Sequence, residues 1–292
     1  MPEVSRPSSD LRVRVVTAVL LALVVLATLA LGGPWGWAVL VLVFALIAVW
    51  EGARLVGSGA VASQSSADPI ALALGSVAVI CALVLGASSS EDASDAVMPV
   101  MRMWLLLALL YWLIPVPIGL ARTRIATATP LGALSIALVV GATVLSVVLL
   151  HRKGVSWLVA ALVIAVVADV AGYFVGRRWG RVKLAPQVSP KKTREGAIGG
   201  LLAASVWVAA TAWLAGLTES VVGVLIATMA GALLGMLSIL GDLWESQLKR
   251  QAGVKDSSNL LPGHGGVLDR IDAQLAVLPG VTLALMLLEQ LP

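Results

Sequence analysis

Long apolar segments alternate with short polar connections along most of the chain. Leu, Val and Ala dominate the apolar segments, and nearly all charged residues lie in the connections. A helix needs roughly 20 apolar residues to cross the hydrocarbon core of a bilayer, whereas a barrel strand needs only about 10. The pattern therefore predicts an all-α, polytopic transmembrane helical bundle. It contains nine candidate spans, at residues 12–31, 34–50, 70–87, 99–120, 130–150, 155–175, 197–217, 219–241 and 273–291.

Composition narrows the class further. The 292 residues are 59% hydrophobic and only 12% charged, whereas soluble domains carry about 25% charged residues. The pI of about 9.6 could suggest a nucleic-acid partner. The basic residues, however, lie in short connections between spans, where they set topology and meet anionic lipid, so we expect no nucleic acid. The single cysteine, Cys81, excludes a disulfide framework and a cysteine-based metal site.

The distribution of positive charge predicts the orientation. With the N-terminus in the cytoplasm, all but three of the 20 Lys and Arg residues lie inside. The exceptions are Arg102, Arg152 and Lys153. Inverting the topology would place almost all of them outside, which the positive-inside rule strongly disfavours. Pro115 and Pro117 lie within the fourth span and should kink it.

The polar content is concentrated towards the C-terminal end. We divide the chain into an N-terminal part, 1–150, with about five spans, and a C-terminal catalytic part, 151–292. The catalytic part contains two long polar segments, 176–196 and 241–272, and both are expected inside. The sequence therefore predicts a polar cleft that faces the cytoplasm.

Asp169 is the one acid well inside an apolar run. A carboxylate within the membrane is costly and usually functional, although headgroup water or Arg177 could also satisfy it. Gly172 and Gly176 follow at about one and two turns, and they would allow another backbone to approach closely. We interpret this face as one wall of the predicted cleft.

Four polar residues share one face where the eighth span ends, at positions i, i+3, i+4 and i+7. They are Asp242, Glu245, Ser246 and Lys249. Carboxylates at a helix end could bind a hard divalent cation through oxygen, or the stretch could simply be a polar helix end in solvent.

The residues that follow favour the first alternative. They combine cations, carboxylates and a glycine pair: Lys255, Asp256, His264, Gly265, Gly266, Asp269, Arg270 and Asp272. Cationic side chains with carboxylate-held Mg²⁺ are the usual groups for phosphoryl or nucleotidyl transfer. His264 could act as a base or a phosphate donor, or be an ordinary loop histidine. No GxxxxGK[ST] or GxGxxG pattern occurs, so a standard nucleotide-binding fold is not indicated.

The other polar segment, 176–196, carries seven basic residues around the sequence SPKKTREG. Ser189, Lys191 and Thr193 could form an ordered phosphate-binding turn next to Pro190. A basic loop that faces lipid headgroups would have the same composition, and the spacing does not separate the two.

The stretch SQLKRQAGVKDSSNLLPGHGGVLDRID, 246–272, resembles the signature of the phosphatidate cytidylyltransferase (CDP-diacylglycerol synthase) family, and it matches every constrained position. The upstream block, which includes KLAPQVSPKKTREG, is similar to a second family motif. It departs from that motif at Ala171-Gly172-Tyr173 and at Arg194, where the family commonly has Gly-Ala-Tyr and Trp.

The resemblance implies site residues and their roles. Asp242 and Asp269 would be the main Mg²⁺ ligands, with Asp256 and Asp272 close by. The triphosphate or lipid phosphate would be neutralised by Lys249, Arg250, Lys255 and Arg270. His264, Gly265 and Gly266 would shape a turn over the nucleotide. Further substrate contacts would come from Asp169, Ser189, Lys191, Lys192, Thr193 and Ser246.

The implied reaction converts CTP and phosphatidate into CDP-diacylglycerol and pyrophosphate, with Mg²⁺, at the cytoplasmic face of the cell membrane. The sequence allows a homodimer without requiring one. The alternatives are another polytopic lipid-phosphate transferase, a lipid kinase or, less readily, an ion-coupled transporter. A CDP-alcohol phosphotransferase is disfavoured because its DG-x2-AR pattern does not occur. A transporter would not need a glycine turn surrounded by cations.

Overall fold

The computed structural model of the protein describes residues 7–57, 91–122 and 130–288, together with Gly75. The described part is helical apart from one short hairpin. Its helices are α1 (Pro7–Leu31), α2 (Gly33–Gly57), α3 (Glu91–Leu113), α4 (Pro115–Ala121), α5 (Pro130–Lys153), α6 (Val155–Trp179), α7 (Arg194–Leu214), α8 (Val221–Gln251), α9 (Leu268–Ile271) and α10 (Gln274–Leu287). The hairpin consists of β1 (Lys183–Ala185) and β2 (Ser189–Thr193).

The helical membrane bundle predicted from the sequence is confirmed. Seven candidate spans of the described residues are long and apolar enough to cross a membrane. The predicted span 70–87 lies outside the described residues except for Gly75. The predicted last span is α10, which has only 14 residues. It is buried along most of its length and packs against α3, α5 and α8, so it forms part of the core. The count of nine spans and the orientation remain predictions.

Proline breaks the fourth span as expected. Helix α3 ends at Leu113, and α4 begins at Pro115. Proline has no N–H to donate within a helix but is well suited to its first turn. The break therefore follows directly from the sequence.

Helix α8 is longer than its apolar pattern. The predicted span stopped at residue 241, but the helix continues to Gln251. Polar side chains at i and i+4 still interact in this extension, and Lys249 and Arg250 in the last turn suit the negative end of the helix dipole. Helix α8 therefore extends beyond the apolar core, and its last turns place charged residues on the polar side of the bundle.

Helices α6 and α7 pack at backbone distance. Gly172 and Gly176 of α6 face Gly196 of α7, and a Cβ built on Gly196 would lie 2.7 Å from the carbonyl oxygen of Gly172. Thr193 precedes α7, and its side chain accepts a hydrogen bond of 3.1 Å from the Gly196 N–H. The small-residue face that the sequence indicated therefore packs against helix α7.

We expect Gly196→Ala to separate these helices. The added methyl group would meet backbone atoms that cannot move aside alone, so the substitution should destabilise the fold by about 1–3 kcal/mol. Thermal unfolding in detergent would measure the loss. The matched control is Gly36→Ala in α2, where a Cβ would find only a Thr28 methyl carbon 3.8 Å away. An unchanged midpoint for Gly196→Ala would contradict the close packing.

The β-hairpin is the one element that the all-α prediction lacks. Its antiparallel strands pair Lys183 with Thr193 and Ala185 with Ser189. It lies within the polar segment 176–196 and connects α6 to α7. Hydrogen bonding between these strands gives the basic segment a fixed conformation, so Lys191 and Lys192 are displayed from an ordered strand.

Candidate active site

The two polar segments meet at one cleft of about 710 Å³, formed by α6, α7, α8, β2 and the chain around α9. Eight of the residues selected from the sequence line it: Asp169, Lys191, Lys192, Thr193, Asp242, Asp269, Arg270 and Asp272. Their side chains come from segments separated by up to about 100 residues in sequence. The cleft therefore combines carboxylates and cations in one place, as the sequence predicted.

Two carboxylates that influence each other's charge line this cleft, Asp242 and Asp272. Asp242 Oδ2 forms an ion pair with Lys192 Nζ at 2.7 Å. Asp272 Oδ1 accepts a hydrogen bond of 2.7 Å from the Ala273 N–H. Burial, together with the neighbouring negative charge of Asp242, raises the pKa of Asp272 to about 7. A cation bound between the two groups would remove the cause of that repulsion.

A second charged cluster lies beneath the cleft. Lys249 Nζ lies 2.5 Å from Glu245 Oε2 and 2.6 Å from Asp269 Oδ1. Glu245 is fully buried, and Asp269 is nearly so. A buried lysine between two carboxylates compensates part of their charge. The cluster fixes the end of α8 against α9.

Asp269 is held by more than this lysine. Its Oδ2 accepts hydrogen bonds from the N–H and hydroxyl of Ser257 and from the N–H of Gly266, at 2.8 to 2.9 Å. Burial alone would raise the pKa of Asp269, but hydrogen bonds from Lys249 and from the backbone N–H groups of Gly266 and Ser257 outweigh it and lower the pKa to about 2. Asp269 is thus an ionised carboxylate whose lone pairs are largely used inside the protein.

The glycine turn fits tightly around Asp269. Gly265 has φ +82, and a Cβ at this position would lie 2.7 Å from Asp269 Oδ2. Only glycine meets both requirements without strain. His264 donates its backbone N–H to Leu261 O at 2.8 Å, while its Nδ1 is buried and has no partner within the described residues.

Other predicted site residues lie outside the lining of the cleft. Lys255 and Asp256 line a separate cavity of about 680 Å³. Ser246 donates to Asp242 Oδ1 at 3.4 Å, and Arg250 donates to Val188 O at 3.5 Å. Ser189, His264, Gly265 and Gly266 also lie outside the lining. Their contributions to the site are therefore indirect in this conformation, and their predicted roles remain predictions.

Sequence reasoning missed Glu51. The predicted second span ended at residue 50, but α2 continues to Gly57, so Glu51 is an acid inside a helix and is fully buried. Its carboxylate accepts hydrogen bonds from four donors in the chain around the glycine turn: Ser257, Ser258, Val267 and Leu268. The apolar flanks of Glu51 were the available signal, and its distance of more than 200 residues from its partners concealed the contact.

Asp169, in contrast, is exposed on the surface of α6. Its helix presents Val166, Val170 and Phe174 beside the cleft, with 55%, 50% and 63% of their surfaces exposed. Apolar side chains exposed to this degree in a bundle suit contact with lipid tails. The cleft therefore has a polar floor and an apolar flank.

The carboxylates of the cleft fit Mg²⁺ provided that water and substrate phosphates supply its remaining ligands. The described residues contain no group of three His, Cys, Asp or Glu side chains placed to hold a metal ion by themselves. Mg²⁺ usually binds through one or two carboxylates plus water and substrate phosphates. Asp242 and Asp272 meet that requirement, and Asp269 is less available because Lys249 and three other donors occupy its oxygens.

Comparison with known proteins identifies the family. The model of the cytidylyltransferase family matches residues 12–288, nearly the whole chain. The chain belongs to the cytidylyltransferase family. The family resemblance of the polar segments 176–196 and 246–272 is thereby confirmed.

Individual members of the cytidylyltransferase family agree with this assignment. The chain is 47% identical to a phosphatidate cytidylyltransferase of Pseudomonas aeruginosa over 122 residues, which cover 42% of this chain and 44% of that protein. It is 45% identical to one from Haemophilus influenzae over 130 residues, covering 43% and 44%. For one from Mycobacterium tuberculosis the identity is 39% over 146 residues, covering 48% and 41%. The chain thus spans less than half the length of each of these relatives.

Proposed function

We propose that this member of the cytidylyltransferase family transfers the cytidylyl group of CTP to phosphatidate, giving CDP-diacylglycerol and pyrophosphate. The observation that carries the proposal is the Asp242–Asp272 carboxylate pair, which lies beside Lys192 in a cleft with an apolar flank. Such a cleft accepts a charged triphosphate and a lipid at the same time. The activity after which the relatives from three organisms are named supports the same reaction.

The chemistry follows from the charges of the cleft. A phosphate oxygen of phosphatidate attacks the α-phosphorus of CTP, a new P–O bond forms, and the bond to the β-phosphate breaks so that pyrophosphate leaves. The attacking group is already an anion, so positioning and charge stabilisation supply most of the catalysis. Lys191, Lys192 and Arg270 line the cleft and neutralise the phosphates.

We propose that Asp242 and Asp272 hold Mg²⁺. When bound, this ion neutralises phosphate oxygens and orients the triphosphate. Lys249 keeps Asp269 fixed beside Asp242 and Asp272 through an ion pair of 2.6 Å between Lys249 Nζ and Asp269 Oδ1. Phosphatidate enters along the exposed α6 face that carries Asp169 and Val170, because its acyl chains stay in lipid while its phosphate reaches the polar floor.

The assay uses purified protein in detergent with CTP, phosphatidate and Mg²⁺. We expect CDP-diacylglycerol and pyrophosphate in equal amounts, and no lipid product when ATP replaces CTP. Removal of Mg²⁺ with a chelator should stop the reaction. A protein that is folded but yields neither product would refute the proposal, and a product formed from ATP would favour the lipid kinase.

We further propose that the protein lies in the cell membrane with the cleft on the cytoplasmic side. Gln187, at the hairpin, and Glu219, between α7 and α8, are exposed and lie at opposite ends of α7. In a Cys81→Ser background, Glu219→Cys should react in intact cells with a maleimide that does not cross membranes. Gln187→Cys should react only after the cells are opened. The reverse labelling pattern would invert the topology.

A further inference from the structure

We infer that Glu51 is the positioning residue of the catalytic segment, which we define as residues 255–272: it orients Asp269 and Asp272 from a distant helix without touching substrate. This inference rests on the proposed function for its catalytic meaning. It concerns a residue of the N-terminal part, whereas the cleft residues all belong to the C-terminal part.

Four donor groups surround the carboxylate. Oε1 accepts from Ser258 Oγ at 2.6 Å and from the Val267 N–H at 3.1 Å. Oε2 accepts from the Leu268 N–H at 2.7 Å and from Ser257 Oγ at 3.0 Å. A carboxylate offers about four acceptor positions, which is the number of donor groups around Glu51, although the Ser257 hydroxyl is shared with Asp269.

The contact differs from a buried ion pair. Glu51 is 0% exposed, and no cation among the described residues pairs with it. Burying a charge is costly unless hydrogen bonds compensate for it. An apolar side chain would fill the same space at a lower cost, so the acid is explained by the donors that it holds. Those donors belong to the catalytic segment.

The connection from Glu51 to the cleft is short. The Ser257 hydroxyl lies 3.0 Å from Glu51 Oε2 and 2.8 Å from Asp269 Oδ2. It therefore bridges the two carboxylates, and its single proton can be donated to only one of them at a time. On the other side, the Leu268 N–H bound by Glu51 immediately precedes Asp269 in the chain. Because Glu51 fixes the N–H groups of Val267 and Leu268 where α9 begins, it also sets the directions in which the side chains of Asp269 and Asp272 point.

The helix that carries Glu51 is itself held firmly. A Cβ built on the next residue, Gly52, would lie 2.9 Å from two side-chain carbons of Ile136 in α5. Helix α2 packs against α5. Because α2 is fixed by the bundle, the carboxylate provides a rigid reference for the catalytic segment.

The direct test is Glu51→Gln, which keeps the shape and removes the charge. The amide has one acceptor oxygen, so its NH₂ group must face either the Val267 or the Leu268 N–H, neither of which can turn away. We expect kcat per folded molecule to fall roughly 10–100-fold, as for other residues that orient metal ligands. The KM for phosphatidate should change little, since the lipid enters beside α6.

The matched control is Ser146→Ala, which removes a buried hydroxyl bonded only to Ala142 O of its own helix, at 2.7 Å.

Two further measurements separate positioning from general stability. Amide hydrogen exchange should accelerate in residues 257–271 of Glu51→Gln and remain unchanged in α7. In a double-mutant cycle, Ser258→Ala should lower kcat in the wild type but much less in Glu51→Gln, because both changes act on the same contact. If Glu51→Gln does not fold, Ser258→Ala alone, with its exchange and kcat, supplies the test.

A wild-type kcat per folded Glu51→Gln molecule, with only a lower melting temperature, would overturn the inference and leave Glu51 a structural residue. Unchanged exchange in residues 257–271 would overturn it as well. If the wild-type protein does not form CDP-diacylglycerol, the proposed function fails by itself. The exchange comparison would then still decide whether Glu51 holds the catalytic segment.

Discussion

Replacing Asp272 with asparagine is expected to lower kcat for cytidylyl transfer by about 10²–10³-fold, the usual range for loss of one preorganised charge-stabilising group. Asp272 is half-buried in the same cleft as Asp242, and its partial burial together with the charge of this second carboxylate raises its pKa to about 7. The fold therefore keeps two acids close together although their charges repel. If the pair holds Mg²⁺ as we propose, an amide in place of one acid would bind the ion much more weakly.

The side chains of aspartate and asparagine have almost the same size, so Asp272→Asn should leave the melting temperature near that of the wild type or raise it. The Mg²⁺ concentration for half-maximal activity should increase. Glu219→Gln is the matched control, because it removes an acid that is exposed in the α7–α8 connection, far along the chain from the cleft. A wild-type kcat and Mg²⁺ requirement for Asp272→Asn would rule out this residue as a ligand.

Replacing Lys249 with methionine is expected to cause the largest loss of stability. Its Nζ lies 2.5 Å from Glu245 and 2.6 Å from Asp269, and both carboxylates are buried. Methionine fills a similar volume but leaves two buried acids without their cation. Breaking a buried ion pair in this way typically costs about 3–5 kcal/mol. The midpoint of thermal unfolding in detergent should fall accordingly.

Two comparisons isolate the burial of this cluster. Lys192→Met breaks a pair with Asp242 that is about one-quarter exposed, so it should cost only about 0–1 kcal/mol. The double variant Lys249→Met/Glu245→Gln removes one of the two uncompensated acids and should recover part of the lost stability. Equal effects of Lys249→Met and Lys192→Met would show that the buried cluster does not stabilise the fold as we describe.

Local rules account for the predictions that the structure confirms. Apolar runs gave the helical bundle, and Pro115 gave the break between α3 and α4. Gly172 and Gly176 indicated a close helix contact, and Gly196 provides it. The sequence signal for each of these features lies in residues within a few turns of one another, so sequence patterns were sufficient to predict them.

The sequence also selected eight residues that line a single cleft. Six of them lie in the segments 176–196 and 246–272, while Asp169 and Asp242 lie shortly before these ranges. The motifs could not predict how many hydrogen bonds each carboxylate accepts from the protein. Asp242 and Asp269 look equivalent in sequence, yet Asp269 accepts four hydrogen bonds from the protein. How many lone pairs remain available depends on the tertiary structure, and the spacing of the acids does not encode it.

Glu51 shows the same limit more clearly. Charge at the end of an apolar run marked it as the first residue after a span, whereas it lies within α2 and is fully buried. Asp169 was selected because it interrupts an apolar run, but it is exposed on the surface of α6. Burial of an acid depends on which chain packs over it. The donors that cover Glu51 begin at Ser257, more than 200 residues away.

The most direct test of the central claim follows two labels from the nucleotide. Purified protein with phosphatidate and Mg²⁺ receives CTP labelled at either the α- or the γ-phosphorus. We expect the α-label in the lipid product and the γ-label only in pyrophosphate, because the bond between the α- and β-phosphates breaks. A γ-label in the lipid would mean phosphoryl transfer, and neither label in the lipid would mean no transfer at all. Either result would contradict the account.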